Sequence, residues 1–343
     1  MRITVLMGGT SAERDVSLAT GLRVAEALRS RGHQVSTVDT VRGSLSVEEE
    51  ANLLAAGTVK TAPPSSESLA RMGRAALPAT VRVLPNPTDT DVAFLALHGG
   101  SGEDGTIQAI LDLAGIPYTG SGHLGSALAM DKDLSKHLFR AEGVTTADWV
   151  MAPREPSPEF LARAVETLGL PVIVKPSKQG STVGLSVVKE AGALAPAIAE
   201  AFRHDDEVMV EAFVAGRELT VGILGDEALP VGEIIPKHEI YDYECKYTAG
   251  MAVEVFPADI TDAQRETAQE QARRAFQALK LRGYARIDFR MSEAGEMFCL
   301  EANTLPGMTA TSLIPQAAAA AGIDFPILCE RIVELALEAY GKR

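Results

Sequence analysis

The sequence predicts an α/β protein in which a helix-covered parallel sheet comes first and two α+β portions follow. Its 343 residues are too many for one small core and suit two or three domains. The first third alternates strand-like and helix-like segments, the pattern of a parallel sheet flanked by helices. The remainder contains short strands, glycine-containing turns and intervening helices. We therefore predict domains over residues 1–121, 122–215 and 216–343.

The elements of the first domain are predicted from apolar runs and the glycines that interrupt them. Residues 3–6 and 34–38 are strand-like, and a helix over residues 16–30 between them ends at a glycine. The continuous apolar run at residues 91–97 predicts a buried strand. Residues 42–80 are weakly patterned and rich in Ala, Ser, Pro and Glu, so we predict an irregular insertion with one or two helices.

The second and third domains are predicted from shorter segments. In the second, we expect helices at residues 124–142, 159–168 and 192–202, and strands at 171–175, 183–188 and 207–213. In the third, we expect strands at residues 218–224 and 229–235, a polar loop through 250, helices at 261–279, 312–321 and 325–340, and a hairpin at 284–302.

Composition excludes several classes of protein. The formal net charge of −14 argues against a broad nucleic-acid or anionic-membrane surface, so a phosphate ligand would need locally placed cations. Three cysteines without metal-site spacing suit a reducing compartment. The first strand begins almost at Met1, and the apolar run at 316–321 is too short to cross a bilayer. We expect a cytoplasmic protein without a signal segment.

The predicted hairpin is the most informative segment. Two strand-like runs, one with Asp288 and one with Glu301, are separated by a glycine-containing turn. A period of two puts Glu301 and Asn303 on one face, where Asp288 can join them with Arg286 beside it. Two carboxylates and an amide oxygen are hard ligands of the kind that Mg²⁺ or Mn²⁺ binds. The pattern predicts a metal site, with an exposed polar hairpin as the alternative.

A glycine-containing loop follows the strand that ends at Lys175. Gly180 and Gly184 allow the backbone to approach an anion, and the hydroxyls of Ser181 and Thr182 can donate to phosphate oxygens. No helix with a Gly-Lys-Ser/Thr start follows, so this is not a Walker loop. Considered alone, the segment favours a phosphate clamp and a structural hairpin about equally.

Residues 211–218 are consistent with an adenosine site. Backbone groups of Ala212 and Val214 could bond a purine edge, Phe213 could stack on it, and Glu211 or Glu218 could hold ribose hydroxyls. A buried aromatic beside a surface acid is the more economical interpretation of this segment in isolation.

Two glycine-rich loops follow predicted strands of the first sheet. Residues 98–105 contain four glycines and begin with His98, and residues 8–14 contain Glu13. The carboxyl ends of strands are where open α/β sheets bind ligands. Glu13 could hold an ammonium group or could be an ordinary acid of a first helical turn, and His98 could simply end its strand.

Residues 241–247 hold three of the six tyrosines of the chain, together with Lys246. This crowding suggests a loop that folds over a site, with Lys246 and the Tyr247 hydroxyl pointing inward. A surface loop with chance tyrosines is the alternative.

In this order, these segments resemble the D-alanine–D-alanine ligase family of the ATP-grasp superfamily. The resemblance spans residues 8–17, 98–105, 118–122, 130–132, 175–184, 241–247 and 286–313. It implies an ATP-grasp fold with a Rossmann-like first domain and two α+β domains that clamp ATP. It also implies ligation of two D-alanines through a D-alanyl phosphate, for peptidoglycan precursor synthesis.

The resemblance assigns roles to residues of this chain. It implies catalytic roles for Glu13, Ser181, Tyr247, Arg286 and Gly307, and substrate binding by His98, Lys246, Ser312 and Leu313. It implies ATP binding by Lys132, Lys175, Thr182, Glu211, Ala212, Phe213, Val214 and Glu218. It implies that Asp288, Glu301 and Asn303 hold Mg²⁺ or Mn²⁺, with two ions expected. ATP and D-alanine are the implied substrates, and a homodimer is the implied assembly.

The sequence departs from the family pattern near the second-substrate site. Ala310-Thr311 replaces a frequent Ser-His pair, Leu305 replaces a small polar residue, and Thr182 stands where a second serine is common. A depsipeptide or D-alanine–D-serine ligase is therefore an alternative, although Lys246-Tyr247 favours amide formation. A non-catalytic ATP-binding regulator would be expected to lack Arg286 or a metal ligand.

Overall fold

The structure, a computed structural model, describes residues 1–55, 84–238, 240, 241, 245, 246, 248, 250–309 and 311–341. Most of the predicted insertion and several residues of the tyrosine-rich segment, Tyr247 among them, therefore lie outside the described residues. Within the described ranges, every helix is too short or too polar to cross a membrane.

The first sheet is mainly parallel, as the alternating pattern predicts. Its strands are β1 (Arg2–Met7), β2 (Gln34–Asp39), β3 (Gly43–Ser44) and β4 (Val92–Leu95). β1 pairs in parallel with β2 and with β4, and the short β3 pairs antiparallel with β2. Helices α1 (Arg14–Ser30), α2 (Val47–Ala55) and α3 (Thr106–Ala114) belong to this part of the chain.

The second sheet follows two helices, α4 (His123–Met130) and α5 (Lys132–Ala141). Its strands are β5 (Trp149–Ala152), β6 (Val172–Pro176), β7 (Ser186–Val188) and β8 (Val208–Ala212), with α6 (Pro158–Leu168) and α7 (Leu194–Ala201) between them. The strand order is β5-β8-β6-β7, and all pairs are antiparallel.

The third sheet carries the predicted hairpin. Its strands are β9 (Arg217–Leu224), β10 (Glu227–Ala228), β11 (Gly232–Pro236), β12 (Ala252–Val255), β13 (Tyr284–Met291) and β14 (Met297–Asn303). The order is β12-β11-β9-β13-β14, with β10 paired to β9. Its helices are α8 (Asp262–Ala278), α9 (Leu313–Ala320) and α10 (Phe325–Ala339).

The single helix predicted at residues 124–142 is wrong, because it is two helices divided at Asp131. Asp131 adopts an extended backbone, and its carboxylate accepts a hydrogen bond from the Leu134 N–H at 3.0 Å. It therefore N-caps α5 and sets a new helix direction. This break places Lys132 in the first turn of α5.

Other predicted boundaries shift for local reasons. The strand expected at residues 183–188 begins only at Ser186, because Ser181, Thr182 and Gly184 have positive φ angles in the preceding loop. The helix expected from residue 192 begins with a 3₁₀ turn, and its α-helical part starts at Leu194. Four short strands, β3, β5, β10 and β12, were missed because none carries a distinctive apolar alternation.

Three buried cores hold these elements together. The first joins residues of the first sheet, such as Val5 and Phe94, to Leu305, Ile314 and Val333 from the end of the chain. The second lies under the third sheet and α8, and the third belongs to the second sheet alone. The final helices therefore complete the core of the first sheet.

Candidate active site

Two cavities meet where the three sheets converge. The larger, of about 410 Å³, extends from the first sheet to β14 and the start of α9. The smaller, of about 140 Å³, lies between the second and third sheets. Six residues line both cavities: Lys132, Gln179, Ser181, Tyr241, Lys246 and Glu301. The two spaces therefore share a wall rich in lysine and carboxylate groups.

The hairpin forms in the predicted register. Asp288 pairs with Glu301 and Arg286 pairs with Asn303, so these four side chains share one face of the sheet. A bulge after Asp288 leaves Leu300 unpaired before the register resumes at Cys299. The strands thus bring two carboxylates and an amide to the junction of both cavities.

Arg286 and Asp288 form a buried ion pair. The guanidinium donates to Asp288 at 2.8 and 2.9 Å, Thr220 Oγ1 donates at 2.7 Å, and the Asn303 amide nitrogen donates at 2.9 Å. The Asp288 carboxylate raises the pKa of Arg286 further above its usual range against the opposing effect of burial. Asp288 is consequently held in a fixed orientation.

This donor set fits a divalent cation. All three predicted ligands present oxygens, and the Asn303 amide oxygen accepts no hydrogen bond from the described residues. A search of those residues finds no group of three or more His, Cys, Asp or Glu side chains with metal-binding geometry. The predicted set differs from such a group because its third ligand is an amide.

Glu301 faces several cations. Its carboxylate lies 3.2 Å from Lys132 Nζ, which also donates to the Gln179 carbonyl at 2.8 Å. Burial would raise the pKa of Glu301, but Lys132, Lys246 and Lys175 together lower it to about 2. The shared wall therefore offers an ionised carboxylate surrounded by ammonium groups, an arrangement suited to a metal and phosphate oxygens.

Glu13 and Ser181 connect the first sheet to the glycine loop of the second. The Ser181 hydroxyl donates to the Glu13 carboxylate at 2.6 Å across the larger cavity. Ser181 and Thr182 have φ angles of 51° and 60°, a left-handed conformation that non-glycine residues rarely adopt. The loop therefore holds Ser181 in a strained conformation that points its hydroxyl at Glu13.

His98 is neutral and has one defined tautomer. Its Nδ1 lies 2.8 Å from the Leu305 carbonyl and must donate to it, so Nε2 accepts from the Thr20 hydroxyl at 3.0 Å. Burial lowers the pKa of His98, although Glu13 opposes the effect. His98 lines the larger cavity and ties the first sheet to the segment after β14.

Glu103 is a residue that the sequence analysis did not assign to the site. It accepts hydrogen bonds from the Gly99 N–H at 3.1 Å and the Leu305 N–H at 3.2 Å. Burial, reinforced by Glu13, raises its pKa to about 7. An acid within a loop of four glycines was the available sequence signal, because such a loop brings side chains close to backbone donors.

The far end of the larger cavity is formed by the segment before α9. Ser312 precedes the helix, and its Oγ accepts from the Thr309 N–H at 3.0 Å instead of capping the helix. A Cβ on Gly307 would lie 2.8 Å from that oxygen, so an alanine there would displace the Ser312 hydroxyl. Gly307, Ser312 and Leu313 all line the cavity.

The smaller cavity contains every residue assigned to ATP by the resemblance: Lys132, Lys175, Thr182, Glu211, Ala212, Phe213, Val214 and Glu218. Asp288 and Glu301 line it too. The ATP-assigned residues come from β6, β8 and β9, from the loops after β6 and β8, and from the first turn of α5.

Two lysines donate hydrogen bonds to the Glu211 carboxylate. Lys175 donates to its Oε2 at 2.6 Å, and Lys136 donates to its Oε1 by a very short hydrogen bond. Burial would raise the pKa of Glu211, but the two lysines lower it to about 2. Lys136 was missed in the sequence, although it lies four residues after Lys132 and so on the same helix face.

The adenosine end is only partly as predicted. The Ala212 N–H donates to the Asp148 carbonyl at 2.8 Å and is not free for a purine. The Val214 N–H donates to none of the described residues. Phe213 lies under the Arg290 guanidinium, 5.7 Å from the ring centroid, so its ring already has one stacking partner.

Between Glu211 and Glu218, the Glu218 carboxylate is the one that can still accept hydrogen bonds from ribose hydroxyls. Arg290 Nη1 lies 3.4 Å from its Oε2, whereas both Glu211 oxygens are already hydrogen-bonded. Burial raises the pKa of Glu218 to about 7 despite the opposing effect of Arg290. Between the two predicted acids, the geometry therefore favours Glu218.

The tyrosine-rich loop reaches both cavities through its described residues. The Tyr241 hydroxyl donates to Glu254 at 3.2 Å, and Lys246 Nζ lies 5.4 Å from the Tyr241 ring centroid. Glu254 also accepts from Gln316 in α9. Neither Glu254 nor Gln316 was predicted to belong to the site, because β12 was not predicted and residue 316 was assigned only to a helix. Tyr247 lies outside the described residues.

Comparison with known proteins agrees with this arrangement. A family model described as D-ala D-ala ligase N-terminus matches residues 2–121, and one described as D-ala D-ala ligase C-terminus matches residues 138–334. The D-alanine–D-alanine ligase of Geobacter sulfurreducens is 43% identical over 344 residues, covering 99% of this chain and 96% of that one. The Desulfotalea psychrophila enzyme is 43% identical over 352 residues, covering 100% and 97%.

Solved structures agree as well. The D-alanine–D-alanine ligase of Bacillus anthracis complexed with ATP superposes with a TM-score of 0.76 at 30% identity, covering 99% of both chains. The Coxiella burnetii enzyme gives a TM-score of 0.80 at 27% identity, covering 99% of this chain and 95% of that one.

A cleft between two antiparallel sheets, opening onto a cavity beside a mainly parallel first sheet, is the arrangement of an ATP-grasp enzyme. Similarity over the full length of the chain then specifies the family of ATP-grasp enzymes. The chain belongs to the D-alanine–D-alanine ligase family.

Proposed function

We propose that this protein joins two D-alanines into D-alanyl-D-alanine with ATP, by way of a D-alanyl phosphate. The observation that supports this most directly is the shared wall of the two cavities. Lys132, Ser181, Lys246 and Glu301 line both, so a phosphate end in the smaller cavity and a carboxylate in the larger can meet there. Such a contact is what phosphoryl transfer to a carboxylate requires.

The first half-reaction transfers the γ-phosphoryl group of ATP to the carboxylate of the first D-alanine. Two anions must approach each other, so nearby positive charge has to lower their repulsion. Lys132, Lys175 and Lys246 supply that charge, with Thr182 as a hydroxyl donor in the glycine loop. The adenosine lies along Ala212, Phe213 and Val214, with Glu218 at the ribose.

The divalent cation in this proposal is Mg²⁺ or Mn²⁺, in two sites, held by Asp288, Glu301 and Asn303. When bound, the cation would supply positive charge that neutralises the negative charge developing during phosphoryl transfer. Arg286 shares Asp288 with the cation and keeps that carboxylate oriented.

The first D-alanine is held through opposite charges. Its ammonium group lies near Glu13, and its carboxylate lies near Arg286, with the Gly307 N–H as a second donor to the tetrahedral oxyanion. His98 lines this subsite in a neutral state. Because both charged groups are anchored, inversion at the α-carbon exchanges methyl and hydrogen, so L-alanine is expected to be excluded.

The second D-alanine is held by its carboxylate at Ser312 and the Leu313 N–H, at the start of α9. Its amine attacks the acyl phosphate after losing a proton. We assign help with that proton to Ser181 and Tyr247, and we assign Lys246 to the acyl phosphate. The 2.6 Å hydrogen bond from Ser181 to Glu13 supports a link between both substrate subsites.

Residues 241–247 would close over the site when substrates are bound, which keeps water away from the acyl phosphate. The contacts of Tyr241 with Glu254 and Lys246 support such a position. We also propose the domain boundaries 1–121, 122–215 and 216–343, a homodimeric assembly, and a cytoplasmic location without nucleic-acid or membrane partners.

The decisive experiment measures phosphate release and product identity with ATP, Mg²⁺ and a panel of D- and L-amino acids. We expect one phosphate released for each D-alanyl-D-alanine formed, and no product from L-alanine. The same panel with Mn²⁺ identifies the preferred ion. Failure to form a dipeptide from D-alanine would overturn the proposal.

A depsipeptide ligase is the second candidate, and D-lactate distinguishes it. Offered together with D-alanine at neutral pH, D-lactate should be a poor second substrate if Lys246-Tyr247 supports amide formation. A product mixture dominated by D-alanyl-D-lactate would favour the depsipeptide reaction instead.

A further inference from the structure

Behind the wall of the smaller cavity lies a buried charged side chain that is paired with one of the charged residues lining it. Lys136 does not line the cavity, and its side chain is 0% exposed. Its ammonium group donates to Thr146 Oγ1 at 2.7 Å and to Glu211, and it lies 4.9 Å from the centroid of the Trp149 ring. A buried lysine is expensive to desolvate, so its charge is compensated here by specific partners.

Glu211 links Lys136 to the residues that line the cavity. One of its oxygens is taken by Lys136 and the other by Lys175, whose Nζ is 2.6 Å away and which does line the cavity. Without Lys136, the Oε1 atom of Glu211 would be buried without a cation. Lys175 would then be the sole partner for the whole carboxylate and would be drawn away from a ligand.

Lys136 also connects both sheets that enclose the cavity. It lies in α5 four residues after Lys132, and Lys132 contacts Glu301 in β14 at 3.2 Å. Thr146, the other partner of Lys136, donates to the Cys299 carbonyl in β14 at 2.8 Å. One face of α5 therefore anchors β8 of the second sheet and β14 of the third.

We propose that Lys136 is a positioning residue of the nucleotide site: it holds Glu211 from behind so that Lys175 is directed into the cavity. The inference deepens the proposed function, on which it rests for the identity of the nucleotide. Lys136 itself touches no substrate, and its effect on ATP reaches the cavity through Glu211.

The test compares Lys136→Met with a control on the same helix. Methionine keeps the length of the buried chain and removes its charge. Phe139→Leu reduces another fully buried side chain of α5, which belongs to the hydrophobic core under the third sheet and forms no hydrogen bond with Glu211 or Lys175. Both variants should lose thermal stability, but only Lys136→Met should lose ATP affinity.

Calorimetry with ATP and Mg²⁺ should show a dissociation constant raised at least tenfold in Lys136→Met and within twofold of wild type in Phe139→Leu. The KM for ATP should rise in the same proportion, while the KM for D-alanine stays within twofold. Lys136→Arg should recover part of the affinity. A purely structural role would shift both Michaelis constants together or neither.

If Lys136→Met fails to fold, Thr146→Val provides the same test more gently, because it removes one partner of the Lys136 ammonium group. A several-fold loss of ATP affinity is expected there. ATP affinity within twofold of wild type in a folded Lys136→Met or Thr146→Val protein would overturn the inference. The calorimetry requires no amino acid, so a wild-type protein that binds ATP yet makes no dipeptide would count against the proposed function alone.

Discussion

The two cavities organise their charges differently. In the smaller, Glu211 and Lys175 are paired with each other, and Lys136 pairs with Glu211 from behind the cavity wall. In the larger, Glu13 comes from the first sheet and Arg286 from the third. Lys246, from the tyrosine-rich loop, borders both.

This difference separates a preformed site from an assembled one. In the smaller cavity, buried ion pairs between adjacent elements satisfy each other. The larger cavity joins groups that are far apart in sequence, such as the Ser181 hydroxyl and the Glu13 carboxylate 2.6 Å away. Substitutions in the first should therefore act mainly on affinity, whereas substitutions in the second should act mainly on the rate of the reaction.

The largest effect is expected for Arg286→Ala. Loss of an oxyanion donor typically reduces rates by about 10²–10³, and here Asp288 also loses its cation, so synthesis should be abolished in practice. Initial rates of D-alanyl-D-alanine formation measure this directly. Arg217→Ala is the matched control, because Arg217 forms a similar double hydrogen bond with Glu233, at 2.6 Å for each bond, and lines neither cavity. Activity that survives Arg286→Ala would contradict the assignment.

The next effect concerns affinity in the preformed cavity. Lys175→Ala removes a hydrogen bond to a charged group and should weaken ATP binding roughly 10- to 100-fold without unfolding the chain. Lys178→Ala serves as control, because Lys178 lies three residues further on and pairs at the surface with Asp206 at 2.8 Å. Calorimetry measures the ATP affinity of both variants. Equal affinities would contradict the assignment of Lys175 to the nucleotide site.

A smaller effect is expected where the assembled cavity meets α9. Gly307→Ala places a Cβ 2.8 Å from Ser312 Oγ, and such overpacking should raise the KM for the second D-alanine roughly tenfold. Ser312→Ala removes the clashing oxygen together with a proposed substrate donor. Because the two changes share one contact, the double variant should bind the second substrate no worse than Ser312→Ala alone. Additive losses would show that the contact does not limit the site.

The smallest effect is a pH dependence that both cavities share. Glu218 in one and Glu103 in the other have pKa values raised by burial to about 7 from 4.5. Between pH 4.5 and about pH 7, the folded protein keeps protons on these two acids that the unfolded chain has released. The free energy of unfolding therefore falls as pH rises through this window. Each acid contributes a slope of at most about 1.4 kcal/mol per pH unit.

Denaturant unfolding without nucleotide, repeated from pH 5 to pH 8, measures this slope. Glu218→Gln and Glu103→Gln should each flatten it, and the double variant should flatten it further. Glu211 and Glu301, with pKa values lowered to about 2, act in the opposite sense and lose their contribution only as pH falls below the usual carboxylate range. An unchanged slope in both Gln variants would show that neither acid titrates there.

The hairpin shows what the sequence can predict. Asp288, Glu301 and Asn303 lie within one short antiparallel pair, so a period of two and one turn determine which side chains share a face. The parallel first sheet was predictable for a similar reason, since each strand and helix carries its own apolar pattern. Local periodicity, in other words, was sufficient wherever the interacting residues were neighbours in the chain.

Lys136 and Glu254 show which contacts the sequence cannot predict. The partner of Lys136 is Glu211, which is far along the chain, and no periodicity indicates that a lysine in α5 is buried against it. Glu254 lies in a strand of four residues, too short to be predicted, and its partner Gln316 belongs to a distant helix. Both are contacts between elements, and only the packed structure determines them.

The first core has a consequence for synthesis of the chain on the ribosome. β1 and β4 are made early, but the core between them and the rest of the protein includes Leu305, Ile314 and Val333, and Arg31 of the same region pairs with Glu330 at 2.7 Å. A nascent chain grows by about 5–20 residues per second, so the first sheet waits many seconds for its last packing partners. The second sheet, whose core is its own, can finish folding before the domain that precedes it.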